Sequence, residues 1–209
     1  MQDRSAEVYR VALELAERDL AAREPGAMAA RAGARFDAAG SIISLDYLNV
    51  TYGVQHPTGR VFAAAAPEQP VSEVTRLIIL HYLVTSSGAP PRARWISYRE
   101  LPGGNAYFAA FRRRVVDRLV RRFGPAPERL AEAAARLGAG RLPLGDASAL
   151  VTALPLLPVA FVLWGGDAVT GPAGNVLFDA TAPAHLATED LAGVAGDALS
   201  ALIRALPKT

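Results

Sequence analysis

The apolar positions near the start of the chain, Tyr9, Ala12, Leu13, Ala16 and Leu20, recur at three- and four-residue spacing. One face of a helix is then apolar and the other wet. Ser5 offers an N-cap and Pro25-Gly26 a stop, which predicts an amphipathic helix over 5–22. Ala27 to Ala34 is rich enough in alanine for a further turn or two. Beyond Gly40 the period changes. Ile42, Ile43, Leu45, Tyr47, Leu48, Val50, Tyr52 and Val54 are mostly β-branched or aromatic, and Val61 and Phe62 follow Pro57-Thr58-Gly59. A meander of two or three strands is expected over 41–63.

Val71 to Val84 is almost wholly apolar and too long for a strand, so it predicts a buried central helix. On it, Val74, Leu77, His81 and Val84 form the stripe expected to face inward. Gly88-Ala89-Pro90-Pro91 ends this helix, and Trp95 to Tyr98 reads as a short strand. The turn Leu101-Pro102-Gly103-Gly104-Asn105 follows, with Asn105 opening a helix that reaches Phe123 on the stripe Phe108, Phe111, Val115, Leu119, Phe123. Gly124-Pro125-Ala126-Pro127 then separates a helix over Glu128 to Leu137, an antiparallel pair being the simplest arrangement. Leu150-Val151 and Val159 to Trp164 read as two short buried strands around Pro155 and Pro158, and Asn175 to Phe178 as another. Thr188 is the expected cap of a last helix, with Glu189 and Asp190 at its positive end and Leu191, Val194, Ala198, Leu202 and Leu206 inward. Helices and strands mix without βαβ alternation. The expected architecture is a single α+β domain over 1–209, a mainly antiparallel sheet packed against several helices. Its central helices span 71–137, and its C-terminal strands and helix span 144–206.

Composition supports a folded chain. Of 209 residues, 51% are hydrophobic and 20% charged, outside the range of disordered sequences. With no cysteine, disulfides, thiolate zinc sites, cysteine-held iron-sulfur clusters and cysteine nucleophiles are excluded. The opening Met1-Gln2-Asp3-Arg4 lacks an apolar leader, so a cytoplasmic location is expected. The uncharged run Ala147 to Gly166 has membrane-spanning length, but Pro155, Pro158 and the glycines that close it argue against a span.

Net charge is only +2, yet it is unevenly spread. Nine arginines between Arg92 and Arg122 face only Glu100 and Asp117, a local excess of +7, while the residues after Leu144 sum to −4. The helix over Glu128 to Leu137, where a DNA reader would place its recognition helix, carries two glutamates and many alanines. Nucleic acid is therefore not the expected partner, and a solvated basic face is.

Five phrases are distinctive: Ile79-Leu80-His81-Tyr82-Leu83, Trp95-Ile96-Ser97-Tyr98-Arg99-Glu100-Leu101-Pro102-Gly103-Gly104, Leu163-Trp164-Gly165-Gly166-Asp167, Leu177-Phe178-Asp179 and Thr188-Glu189-Asp190-Leu191. In these the chain resembles the family called domain of unknown function 3786, from roughly the first helix to the last. The resemblance implies a bacterial or archaeal domain, found alone or beside iron-sulfur modules, with no assigned activity. Where the family continues its Trp-x-Gly-Asp phrase with Glu, Phe and Pro, this chain has Ala168, Val169 and Thr170, so any role of that carboxylate is missing here.

Three groups of residues carry candidate chemistry. An inward His81 either hydrogen-bonds within the core or ligates a metal or a tetrapyrrole iron or cobalt. In the Arg99–Asn105 turn, Gly103 and Gly104 before a helix start leave amides for a carboxylate or phosphate, with Arg99 and Asn105 beside them. Trp164, next to glycines, suits the wall of a flat ligand. Together these point to a cytosolic small-ligand or cofactor-binding domain, for a flat acidic cofactor such as a tetrapyrrole (haem or corrinoid). His81, Arg99, Gly103, Gly104, Asn105 and Trp164 are the expected contacts, and His81 the expected metal ligand. Two alternatives stand beside this one: an enzyme using Glu100, Asp167, Asp179 or Asp190 with His81 in acid/base chemistry, and a non-catalytic interaction module. Partners compatible with the reading are a small molecule, further copies of the chain, or a redox protein.

Overall fold

The first four strands, β1 (Arg35–Asp37), β2 (Ile42–Tyr47), β3 (Val50–Gln55) and β4 (Arg60–Ala63), pair in sequence order as an antiparallel sheet. The computed structural model describes residues 2–167 and 169–207. A second antiparallel sheet takes the order β5 (Trp95–Ser97), β8 (Ala173–Asp179), β7 (Leu157–Trp164), β6 (Ala147–Leu154). Its two inner strands register as Val159 opposite Phe178 and Trp164 opposite Ala173. With its helices the protein is α+β. By its own contacts the chain forms two compact units.

The first unit spans 1–90 with two short later insertions, 154–156 and 184–186. It holds α1 (Gln2–Ala21), α2 (Pro25–Arg31) and α3 (Glu73–Thr85) with the first sheet. Leu13, Ala16 and Leu20 of α1 are buried, as their spacing predicts, and α1 packs on α3. Helix α1 begins at Gln2, upstream of Ser5, so Ser5 is not its cap. Pro25 ends nothing. It occupies the first turn of α2, whose free amides at Gly26 and Ala27 are taken by the Glu24 carboxylate. The meander has four strands, because Arg35–Asp37 pairs with β2 although only one of its three residues is apolar.

The central helix α3 is capped by Ser72, whose hydroxyl accepts from Thr75 N–H. Its buried face is Ile78, Ile79, Leu80, Tyr82, Leu83 and Val84. Of the stripe expected inside, only Val84 is buried: Val74 is exposed and Leu77 and His81 are half-buried. Glu73, His81 and Thr85 share the wetter side, so the few polar positions of the helix, and not its apolar stripe, mark which side faces out.

The second unit, made of 91–153, 157–183 and 187–209, carries the second sheet with α4 (Gly104–Phe111), α5 (Asp117–Phe123), α6 (Glu128–Arg136) and α7 (Thr188–Ala205). Between α4 and α5 the helix widens into a π-turn at Arg112–Val116. The run from Gly104 to Phe123 is therefore helical throughout, with Phe111, Val115, Leu119 and Phe123 buried as expected. The proline-flanked strands are longer than their apolar kernels suggested. Pro158, the second residue of β7, lies just before the register with β8, which starts at Val159. Helix α7 buries Leu191, Val194, Ala198 and Leu202 as predicted. Its cap position is Ala187, and the Thr188 hydroxyl donates instead to Pro102 O at 2.7 Å. Among the described residues no helix is long and apolar enough to cross a membrane.

Candidate functional site

The Arg99–Asn105 turn of the second unit is built by local hydrogen bonds. Ser97 opens a 3₁₀ turn, Tyr98–Glu100, and the Glu100 carboxylate accepts from both Ser97 N–H (2.7 Å) and Ser97 Oγ (2.8 Å). The Ser97 N–H, then its hydroxyl, hold the Glu100 carboxyl below its usual range. The Tyr98 ring stacks on Phe111 with centroids 3.9 Å apart, fixing the turn to α4. Gly103 has φ +70 and is the N-cap of α4. Helix α4 thus starts at Gly104, one residue before Asn105. Gly104 is buried so close to Tyr98 O that no Cβ fits there.

Two of the amides expected to face an anion are already used. Gly104 N–H donates to Leu101 O at 2.9 Å, and Ala106 N–H to Gly103 O at 3.2 Å. Arg99 and Asn105 do meet: Arg99 Nη1 donates to Asn105 Oδ1 at 3.1 Å, while the guanidinium stacks 3.8 Å from the centroid of Phe108. This turn is a rigid support more than an anion cradle.

Phe108 also lines an open groove of about 630 Å³, within the range of small-molecule sites. Trp164, Arg112, Asp117, Arg121 and Asn175 share the lining, all from the second unit. Trp164 ends β7 and is 43% exposed, unusual for the largest side chain of a strand that is buried from Val159 to Leu163. The chain beyond it is fixed: Gly165 N–H donates to Asp146 Oδ2 at 2.6 Å. Asp167 Oδ1 accepts from Val169 and Thr170 N–H at 2.8 and 2.6 Å. Gly174 lies so close to Leu119, Val120 and Leu163 that a Cβ would press on Val120, which lets α5 approach β8 at the groove floor.

The carboxylates proposed for acid/base work are committed locally. Thr170 and Val169 N–H lower the Asp167 pKa. Asp179 is fully buried and accepts from Thr181 N–H (3.0 Å), Thr181 Oγ1 (2.7 Å) and Arg92 N–H (3.0 Å). Burial pushes its pKa up, but the Thr181 and Arg92 bonds outweigh burial and leave it lowered. A base for neutral pH needs the opposite shift. Asp190 is half-buried in the first turn of α7. His81 belongs to the first unit, half-buried on α3. Among the described residues no three of His, Cys, Asp or Glu gather to hold a metal ion.

Sequence reasoning missed two features. Arg112, Asp117 and Arg121 read there as part of a solvated face, since a π-turn leaves no simple residue signature. In the first unit, His185 is buried with Nδ1 2.8 Å from Ser86 Oγ and Nε2 2.9 Å from Ala89 O. Ser86 Oγ also donates to Arg31 O at 3.0 Å, so this serine and histidine tie distant segments together inside the core.

The model of the family described as "Domain of unknown function (DUF3786)" matches residues 24–200, and the chain belongs to that family. No curated protein and no solved structure matches the chain.

Proposed function

We propose that this family member is a cytosolic small-ligand-binding domain whose site is the groove between α4, α5 and the Trp164 end of β7, and whose ligand is a flat molecule bearing an anionic group. The observation that carries the reading is Trp164: a large aromatic held by a rigid strand end, exposed beside arginines and Phe108. An indole face offers stacking area at little entropic cost, and a guanidinium pairs with carboxylate or phosphate. Asn175 adds a neutral hydrogen-bonding group to the same lining. The π-turn supports the placement, since such turns are frequent at functional sites.

The absorbance spectrum and native mass of the purified chain, followed by titration with planar carboxylates including a free-base porphyrin, test this reading. Trp164 emission should quench saturably, and Trp164→Ala should abolish binding with the far-ultraviolet circular dichroism retained. Unaltered binding in Trp164→Ala would remove the groove from the reading. Haem and corrinoids belong to this ligand class, and His81, a residue of the first unit, is tested apart from the groove as a ligand to the metal of such a molecule. His81→Ala would erase an axial absorbance shift if His81 ligates and leave it unchanged if not.

A further inference from the structure

Residues five apart on an α-helix point roughly 140° away from each other. Arg112 and Asp117 have that spacing, yet Arg112 Nε meets Asp117 Oδ1 at 3.2 Å. The π-turn makes the contact. Asp117 N–H donates to Arg112 O, five residues back, and the wider turn brings the two side chains to one side. Both line the groove, and so does Arg121, one turn further along α5. Arg121 makes no ion pair among the described residues, so one of the two lining cations is compensated and the other is not.

We infer that Asp117 sets the charge selectivity of the groove: by neutralising Arg112 it leaves Arg121 as the single receptor for an anionic group, so that planar monoanions are preferred over planar dianions. The inference rests on the ligand-binding reading above. A second carboxylate on the ligand would meet the Asp117 carboxylate while Arg112 is occupied, an unfavourable contact that discriminates as effectively as an attractive one. Removing that carboxylate frees the Arg112 fork for the second anion.

The experiment uses the full chain with Trp95→Phe, so that Trp164 is the only indole. It measures the Kd of 2-naphthoate, of 2,6-naphthalenedicarboxylate and of neutral 2-naphthalenemethanol at low ionic strength. The parent chain should bind the monoanion more tightly than the dianion or the alcohol. Asp117→Asn should shift the ratio towards the dianion by roughly threefold, the size of an exposed ion-pair coupling. Asp117→Glu, which keeps a carboxylate within reach of Arg112, should hold the parent ratio. Tighter dianion binding in the parent chain would overturn the inference without any variant, and so would an unchanged ratio in Asp117→Asn. A parent chain in which none of the three ligands alters Trp164 emission would overturn the ligand-binding reading and this inference with it.

Discussion

The guanidinium of Arg99 lies over the Phe108 ring, 3.8 Å from its centroid, and is held there by Asn105 Oδ1. Phe108 is also a wall of the groove, so Arg99 acts on the groove through the ring it covers. Arg99→Ala should lower stability by about 0.5–1 kcal/mol, the value of an exposed cation–π pair. It should also weaken ligand binding in the groove. Arg99→Lys should recover only part of both, because an ammonium cannot stack flat. Thermal melts and Trp164 titrations of the two variants check this.

Gly103 and Gly104 should respond differently to alanine. At Gly103 a Cβ meets open space and only the positive φ is strained, an expected loss of about 1 kcal/mol. At Gly104 a Cβ collides with the Tyr98 carbonyl, which the Tyr98–Phe111 stack holds in place. Gly104→Ala should therefore cost several kcal/mol, the range of strongly disruptive core changes. Equal melting temperatures for the two variants would contradict this account of the turn.

Asp179 links pH to stability. Its folded pKa lies below the ordinary 3.8, so its stabilisation is present above that value and is lost as pH falls through the folded one. Asp179→Asn keeps one accepting oxygen and replaces the other with an NH2 that faces the N–H or O–H donors of Arg92 or Thr181. It should destabilise by about 2 kcal/mol at pH 7, within the range for a hydrogen bond to a buried charge. Its acid unfolding limb below pH 4 should also be shallower than that of the parent chain. Urea unfolding at stepped pH measures both.

Tyr82 gives the alkaline counterpart. Burial pushes its hydroxyl up to about 12, against an opposing bond from Leu156 N–H, and the hydroxyl donates to Ala32 O at 2.9 Å. A raised value means the contribution is complete below pH 10 and fades as pH rises towards 12. Tyr82→Phe should cost about 1–2 kcal/mol at neutral pH by leaving Ala32 O and Leu156 N–H unpaired. It should also remove the ionisation near pH 12 from the ultraviolet titration curve.

Much of the fold was legible because amphipathic segments declare their facing. The stripes of α1, α5 and α7 and the meander alternation follow from residue spacing alone. Helix α3 was legible as a helix, but its orientation follows the sparse polar positions Glu73, His81 and Thr85 that share the wetter side, and not the apolar stripe through His81. Strand β1 was hidden because its pairing depends on β2 and not on its own three residues. Of the candidate site, the positive φ at Gly103 and the exposed aromatic at Trp164 could be read from local chemistry. The Arg112–Asp117 contact could not, because it depends on a π-turn that helical spacing rules argue against, and Arg121 stands out only once its neighbours' partners are known.

The most direct measurement of the central claim is side-chain nuclear magnetic resonance of the chain labelled at tryptophan and arginine, titrated with 2-naphthoate. Binding in the groove predicts saturable shifts of the Trp164 indole N–H and the Arg121 Nε–H with one shared Kd, while the Trp95 indole stays fixed. Shifts absent at saturating ligand, or equal at Trp95 and Trp164, would contradict it.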